Sequence, residues 1–105
     1  MMTKLYLSGP MTGIKDKNFP AFNKASKALR KKGYQVINPA ELDMQHPRQT
    51  WAECLRRDIV AEMRCNGIAT LPGYKRSRGA QLEVYIAEAL NWPVHSVNYY
   101  LRGKK

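Results

Sequence analysis

The sequence predicts an α/β fold: one parallel sheet of about four strands with helices on both faces. Three observations carry this expectation. The chain has 105 residues, enough for one real core and too few for two. Short strand-like runs alternate three times with stretches of helical periodicity, an alternation that lays successive strands parallel through right-handed crossovers. The composition, 44% hydrophobic and 25% charged, is that of a soluble globular domain. No apolar run approaches the roughly 20 residues that span a bilayer, so no membrane association is expected.

The elements follow in order. Residues 3–8, TKLYLS, read as a short apolar strand entering the turn GPMTG. Residues 19–32 place apolar side chains at 21, 22, 25, 28 and 29, which is helical spacing, with Pro20 in the first turn and Gly33 past the end. YQVIN (34–38) is a second strand closed by Pro39, and 39–49 reads as a polar loop with two prolines. Thr50 and Glu53 have capping-box spacing and open a helix over about 51–65. GIATL (67–71) is the third strand, PGYKR a loop, 78–90 a helix, and Pro93 to Val97 the fourth strand. The tail NYYLRGKK has no decisive pattern. There are no repeats and no low-complexity segment. The expected architecture is Rossmann- or flavodoxin-like, in which ligands bind outside the carboxyl ends of the strands. Three loops converge there: GPMTGIKDKN, the polar loop, and PGYKRSRG.

The net charge of +10 favours an anionic partner, either nucleic acid or a phosphorylated small molecule. The basic residues are scattered, however. Lys24, Lys27, Arg30, Lys31 and Lys32 share one helix, and Arg56, Arg57 and Arg64 another. Lys75, Arg76 and Arg78 precede or open a third, and Arg102, Lys104 and Lys105 form a tail. No helix-turn-helix, zinc or RNP pattern accompanies them, so nucleic acid is a weaker expectation than a small nucleotide. Cys54 and Cys65 lie eleven apart without a CxxC, which suits reduced core thiols, and His46 and His95 stand apart; no metal and no cofactor are expected. The start MMTKLYLSGP lacks a signal peptide's apolar stretch, so a cytoplasmic location is expected.

Glu83 is the oddity of the last long helix. At 100° per residue it falls on the stripe of Gly79, Ala80, Ile86, Ala87 and Leu90, while Gln81, Tyr85 and Glu88 face away. An unpartnered inward carboxylate is costly; it is a structural hydrogen-bonding group, an exposed residue on a misread face, or a functional acid. Ser77 is a good N-cap, and Gly79 in the first turn costs about 1 kcal/mol relative to alanine. Close approach of an anion to the helix N-terminus would explain the glycine, as would plain packing against the sheet. Asp58 shares its side of a helix with Trp51, Leu55 and Glu62, and either pairs with Arg57 or Arg102 or serves a site. Tyr6 sits near the ligand edge of the first strand, where its ring packs and its hydroxyl is free to point into a site.

Three motifs resemble the nucleoside 2-deoxyribosyltransferase superfamily, which includes the deoxynucleoside 5′-monophosphate N-glycosidases. Y-L-S-G-P-M-T-G at 6–13 is similar to that family's opening strand and turn, and R-D-I at 57–59 to the helix carrying its aspartate. S-R-G-A-Q-L-E at 77–83, followed by Ala87, resembles its serine, glycine and nucleophilic glutamate at the right separation. With the order of elements the resemblance spans nearly the whole chain, and it is nearest to a short branch common in phages and prophages. Tyr74 and Asn66 depart from that branch, which often has tryptophan and aspartate there. The resemblance implies that Glu83 attacks the anomeric carbon, that Asp58 handles the proton on the base side, and that Tyr6 orients the glutamate. It also implies a substrate site formed by Ser8, Gly9 and Met11 with Arg76, Ser77, Arg78, Gly79 and Ala80, the last group around a 5′-phosphate or sugar hydroxyl.

Three functions compete at this point: an N-glycosidase or deoxyribosyltransferase, a nucleotide-binding protein without turnover, and a basic nucleic-acid-binding module. Met11, Trp51, Tyr99 and Tyr100 are large groups that a lone small domain would struggle to bury, so a homo-oligomer is expected, its neighbour completing the pocket.

Overall fold

The computed structural model describes residues 3–102; Lys104 and Lys105 of the basic tail lie outside them. In chain order the elements are β1 (Lys4–Ser8), α1 (Phe19–Lys31), β2 (Gln35–Ile37), α2 (Pro39–Gln45), α3 (Trp51–Glu62), β3 (Gly67–Thr70), α4 (Arg78–Ala89), β4 (Val94–Ser96) and α5 (Val97–Arg102). Single 3₁₀ turns occupy Lys15–Asn18 and Tyr74–Arg76.

Two stretches differ from the sequence reading. The expected polar loop after β2 is helix α2 over Pro39–Gln45. Asn38 caps it by accepting from the Ala40 amide at 3.0 Å, and Pro39, read as the end of a strand, is the first residue of a helix. Residue Val97, assigned to the fourth strand, instead begins α5. That helix is fixed by Tyr100, which is buried and donates its hydroxyl to the Ile68 carbonyl at 3.0 Å. The Thr50 capping box forms as expected, with both reciprocal bonds present.

The sheet is wholly parallel, in the order β2-β1-β3-β4. The chain steps from β1 to β2 in one direction, then crosses back over β1 to β3. Reversal of direction sends α1 to one face and α3 and α4 to the other under the right-handed rule. This is the Rossmann-like arrangement, with its switch point between β1 and β3.

Alternation along β1 assigns its residues to different layers. Leu5 and Leu7 pack with Phe22, Leu29, Val97 and Tyr100 in an apolar core beneath α1 and α5. Tyr6 and Ser8 point the other way, toward α3 and α4, where Ala61, Cys65, Ile68, Val84 and Ala87 form the second core. Each fully buried leucine or phenylalanine contributes roughly 1.5–3 kcal/mol. Leu90, expected on the inward stripe of α4, is 48% exposed because the helix has ended at Ala89. At the exit of β1, a Cβ on Gly9 would lie 2.8 Å from the Leu71 Cβ, so the turn passes this strand end only as glycine.

Candidate active site

Tyr6 and Ser8 are the two residues of β1 that face α4 near the carboxyl edge. Between them they engage both oxygens of Glu83. The Tyr6 hydroxyl donates to Oε2 at 2.9 Å and the Ser8 hydroxyl to Oε1 at 2.8 Å. Glu83 is therefore inward and hydrogen-bonded, at 5% exposure. Burial pushes its carboxyl up to about 8; the Ser8 bond opposes this, the charge of Asp58 adds to it, and the Tyr6 bond opposes it. Burial likewise drives the Tyr6 phenol well above its ordinary value, aided by the charge of Glu83.

Asp58 stands on α3 with Arg57 wrapped around it. Arg57 donates to Asp58 Oδ1 from Nε at 2.9 Å and from Nη2 at 2.6 Å. Of the two partners left open for Asp58, Arg57 is the one it has. Burial raises the Asp58 carboxyl to about 6, against the bonds and charge of Arg57 and with the charge of Asp43 adding to the rise. The same guanidinium donates from Nη2 to Asp43 Oδ1 at 2.5 Å and from Nη1 to Gln49 Oε1 at 2.8 Å. Burial acts to lower the Arg57 pKa, but its bonds to Asp58 and Asp43 win and hold it above the usual value.

These groups line a cleft of about 350 Å³ at the carboxyl edge of the sheet, outside the switch point. Of the residues anticipated from the sequence, Tyr6, Gly9, Met11, Asp58, Ser77, Gly79, Ala80 and Glu83 line it. Ser8 lies behind Glu83, 1% exposed, and holds the carboxylate. Arg76 and Arg78 do not line the cleft. The Arg78 guanidinium stacks over the Trp51 ring, 4.3 Å from its centroid, and so ties α4 to α3. Cys65 is a free core thiol, whereas Cys54 is half-buried and reaches the cleft wall.

Three charged or amide-bearing cleft residues escaped the sequence reading, Lys17, Asp43 and Gln49, while Arg57 was anticipated only as a partner for Asp58. Lys17 lines the cleft from the 3₁₀ turn after β1. Asp16, Lys17 and Asn18 are consecutive left-handed residues with φ of 55°, 52° and 62°. Each such non-glycine costs about 1–2 kcal/mol, and strain of this kind gathers at ligand sites. Asn18 secures the turn by donating from Nδ2 to the Pro10 carbonyl at 2.9 Å. No periodic signal announces such a turn; the signal for Asp43 was the Asn-Pro start of α2.

The N-terminus of α4 opens on the same cleft. Ser77 Oγ accepts from the Ala80 amide at 3.2 Å, leaving the amides of Arg78 and Gly79 as donors without an intrahelical acceptor. A Cβ on Gly79 would meet only Leu55, at 3.8 Å, an ordinary contact. Packing thus does not demand a glycine here.

A family model described as Domain of unknown function (DUF4406) matches residues 3–96. The chain belongs to this family. No curated protein matches the sequence. The matched span of this DUF4406 member contains the whole sheet and every cleft residue named above. Among its described residues no group of three or more His, Cys, Asp and Glu is placed to hold a metal ion, and no helix is long and apolar enough to cross a membrane.

Proposed function

We propose that the protein is an N-glycosidase or deoxyribosyltransferase that cleaves the base–sugar bond of a deoxynucleoside or its 5′-monophosphate. One observation carries the reading: a buried glutamate held at both oxygens by Tyr6 and Ser8, in a cleft it shares with Asp58. The resemblance to the nucleoside 2-deoxyribosyltransferases supports it. The transition state at an anomeric carbon is oxocarbenium-like, so it needs an anion that stabilises positive charge and bonds to carbon, and an acid for the leaving group.

In this mechanism ionised Glu83 attacks C1′ while the C1′–N bond breaks, and protonated Asp58 gives its proton to the departing base. The resulting glycosyl ester is released when water, or the nitrogen of a second base, attacks C1′. Asp58 takes back the proton and Glu83 leaves as carboxylate. Tyr6 and Ser8 hold the nucleophile's two oxygens in place through both steps. A single proton shared by Glu83 and Asp58 dominates between the values of about 6 and about 8 these groups reach; it rests mainly on Glu83, and the reactive form is the minor one in which Asp58 carries it. A 5′-phosphate would meet Lys17, the Ser77 hydroxyl and the amides of α4, with Lys17 in the role first assigned to Arg76 or Arg78. No cofactor enters the scheme. The nucleotide pool it draws on is cytoplasmic, that of the bacterial host if the chain is phage-encoded.

A homo-oligomer belongs to the same proposal. Trp51 at 43% and Tyr99 at 46% exposure remain uncovered in the single chain, whereas Tyr100 is buried within it and Met11 is half-buried against the α1 core. A neighbour over Trp51 would also wall the cleft.

Incubation with deoxynucleosides and their monophosphates, followed by chromatography for free base, tests the reading. Release that vanishes in Glu83→Gln is expected. Tight nucleotide binding without release would leave a sequestering protein, which the high proton affinity of Glu83 would suit. Steeply salt-dependent DNA binding with no nucleotide affinity would favour the nucleic-acid module.

A further inference from the structure

We propose that Asp43 and Gln49 form the base-reading wall of the cleft and select bases that carry an exocyclic amine beside an unprotonated ring nitrogen. This inference rests on the nucleotide reading above and names its substrate class. The argument starts from Arg57. Its guanidinium is a planar fork whose donors have fixed directions. Here all five donors are spent on the protein: Nε and Nη2 on Asp58, Nη2 also on Asp43, and Nη1 on Gln49 and, more weakly at 3.9 Å, on Cys54 Sγ. Arg57 is thus a scaffold that sets three side chains side by side, and not a free cation for a phosphate.

What the three side chains offer a ligand follows from what Arg57 leaves over. Asp43 commits Oδ1 to Arg57, and its Oδ2 accepts no hydrogen bond among the described residues. Gln49 turns Oε1 to Nη1, so its amide nitrogen is directed away from the guanidinium. Both residues line the cleft next to Asp58. With C1′ at Glu83 and the leaving nitrogen at Asp58, the far edge of the base meets an acceptor, Asp43 Oδ2, and a donor, Gln49 Nε2. Cytosine and adenine present the complement, an amine that donates and a ring nitrogen that accepts. Thymine and uracil turn a carbonyl oxygen to the carboxylate and an N–H to the amide, so both contacts oppose like with like. Asp43 is paired with Arg57 and only 12% exposed at its side chain, so solvent does little to relieve that mismatch.

Calorimetric titration of Glu83→Gln, in which turnover is blocked, with the monophosphates of deoxycytidine, deoxyadenosine and thymidine tests this. The two amino-bearing nucleotides should bind at least roughly tenfold more tightly than the thymidine nucleotide. Adding Asp43→Asn keeps an oxygen for Arg57 but presents an amine to the cleft; each nucleotide then has one matched and one mismatched contact, so the three affinities should converge to within a few-fold. Gln49→Leu, which removes the donor and leaves Asp43 on Arg57, should shrink the preference without reversing it. Equal affinities in the parent, or a preference unmoved by both added substitutions, would overturn the inference while nucleotide binding stands. Failure of all three nucleotides to bind would overturn it together with the proposed function.

Discussion

Two buried glutamates on the same side of the sheet have opposite surroundings. Glu83 lies in the second turn of α4, near the carboxyl edge, with hydroxyls on both oxygens and a cleft in front of it. Glu62 is the last residue of α3, toward the opposite edge, 0% exposed, and neither of its oxygens has a partner. Burial raises both to about 8, with the charge of Glu83 adding to the rise of Glu62. Proton affinity alone therefore does not mark a functional acid. The two differ in partners and access: Glu83 is oriented by strand residues and faces the cleft, while Glu62 is enclosed with no hydrogen-bond partner on either oxygen.

Activity should separate the two most widely. Glu83→Gln is expected to lower kcat by at least about 10³-fold, the loss typical of a missing nucleophile. Glu62→Gln should stay within about threefold of the parent, since a neutral amide replaces a neutral acid of the same shape. Comparable losses in single-turnover assays would break the distinction. Asp58→Asn should cost roughly 10²–10⁴-fold and remove one limb of the pH profile. In the parent that profile of kcat/KM should be a bell with limbs near about 6 and about 8, the values Asp58 and Glu83 reach. Glu62→Gln should leave the bell nearly in place.

Stability should separate the two far less, since both carboxyls reach about 8 when folded. A carboxyl of ordinary value 4.5 that reaches about 8 when folded holds its proton longer in the native state. The native state then binds more protons than the unfolded one, so stability is full below about 4.5 and falls as pH rises toward about 8. Glu62→Gln removes this loss. The variant's advantage over the parent should grow by roughly 3–4 kcal/mol between pH 5 and pH 8 in denaturant titrations. A constant difference across that range would show that Glu62 is ionised or partnered in solution. Smallest is the effect of Gly79→Ala. With only Leu55 at 3.8 Å from its Cβ, alanine should stabilise the fold by up to about 1 kcal/mol. It should also weaken a monophosphate more than the matching nucleoside, by a few-fold, because the methyl crowds the α4 amides. Weakening of both alike would separate the helix N-terminus from the phosphate.

Much of this molecule was legible before folding because its signals are local. The Thr50–Glu53 box, the Ser77 cap and the Pro20 start each act within one helical turn, and each forms as read. Glu83 stood out because helical period alone puts it on the buried side of α4, and that side is a property of spacing. The same reading mistook Asn38-Pro39 for a strand end, since a proline that stops a strand and one that starts a helix look alike without the cap beside it.

Sequence alone therefore determined the alternation of strands and helices, the sheet edge at which the cleft lies, and the anomaly of a carboxylate on an inward stripe. Tertiary structure decided what that carboxylate touches. Tyr6 and Ser8 meet Glu83 across more than seventy positions of chain, a contact set by which way β1 faces its helices. Arg78 went to the Trp51 ring, Lys17 came to the cleft through a left-handed turn, and Arg57 gathered Asp43, Gln49 and Asp58 from three separate stretches. Period and capping describe neighbours one or two turns apart. Side chains that meet only after the sheet has closed leave no spacing in the sequence to read.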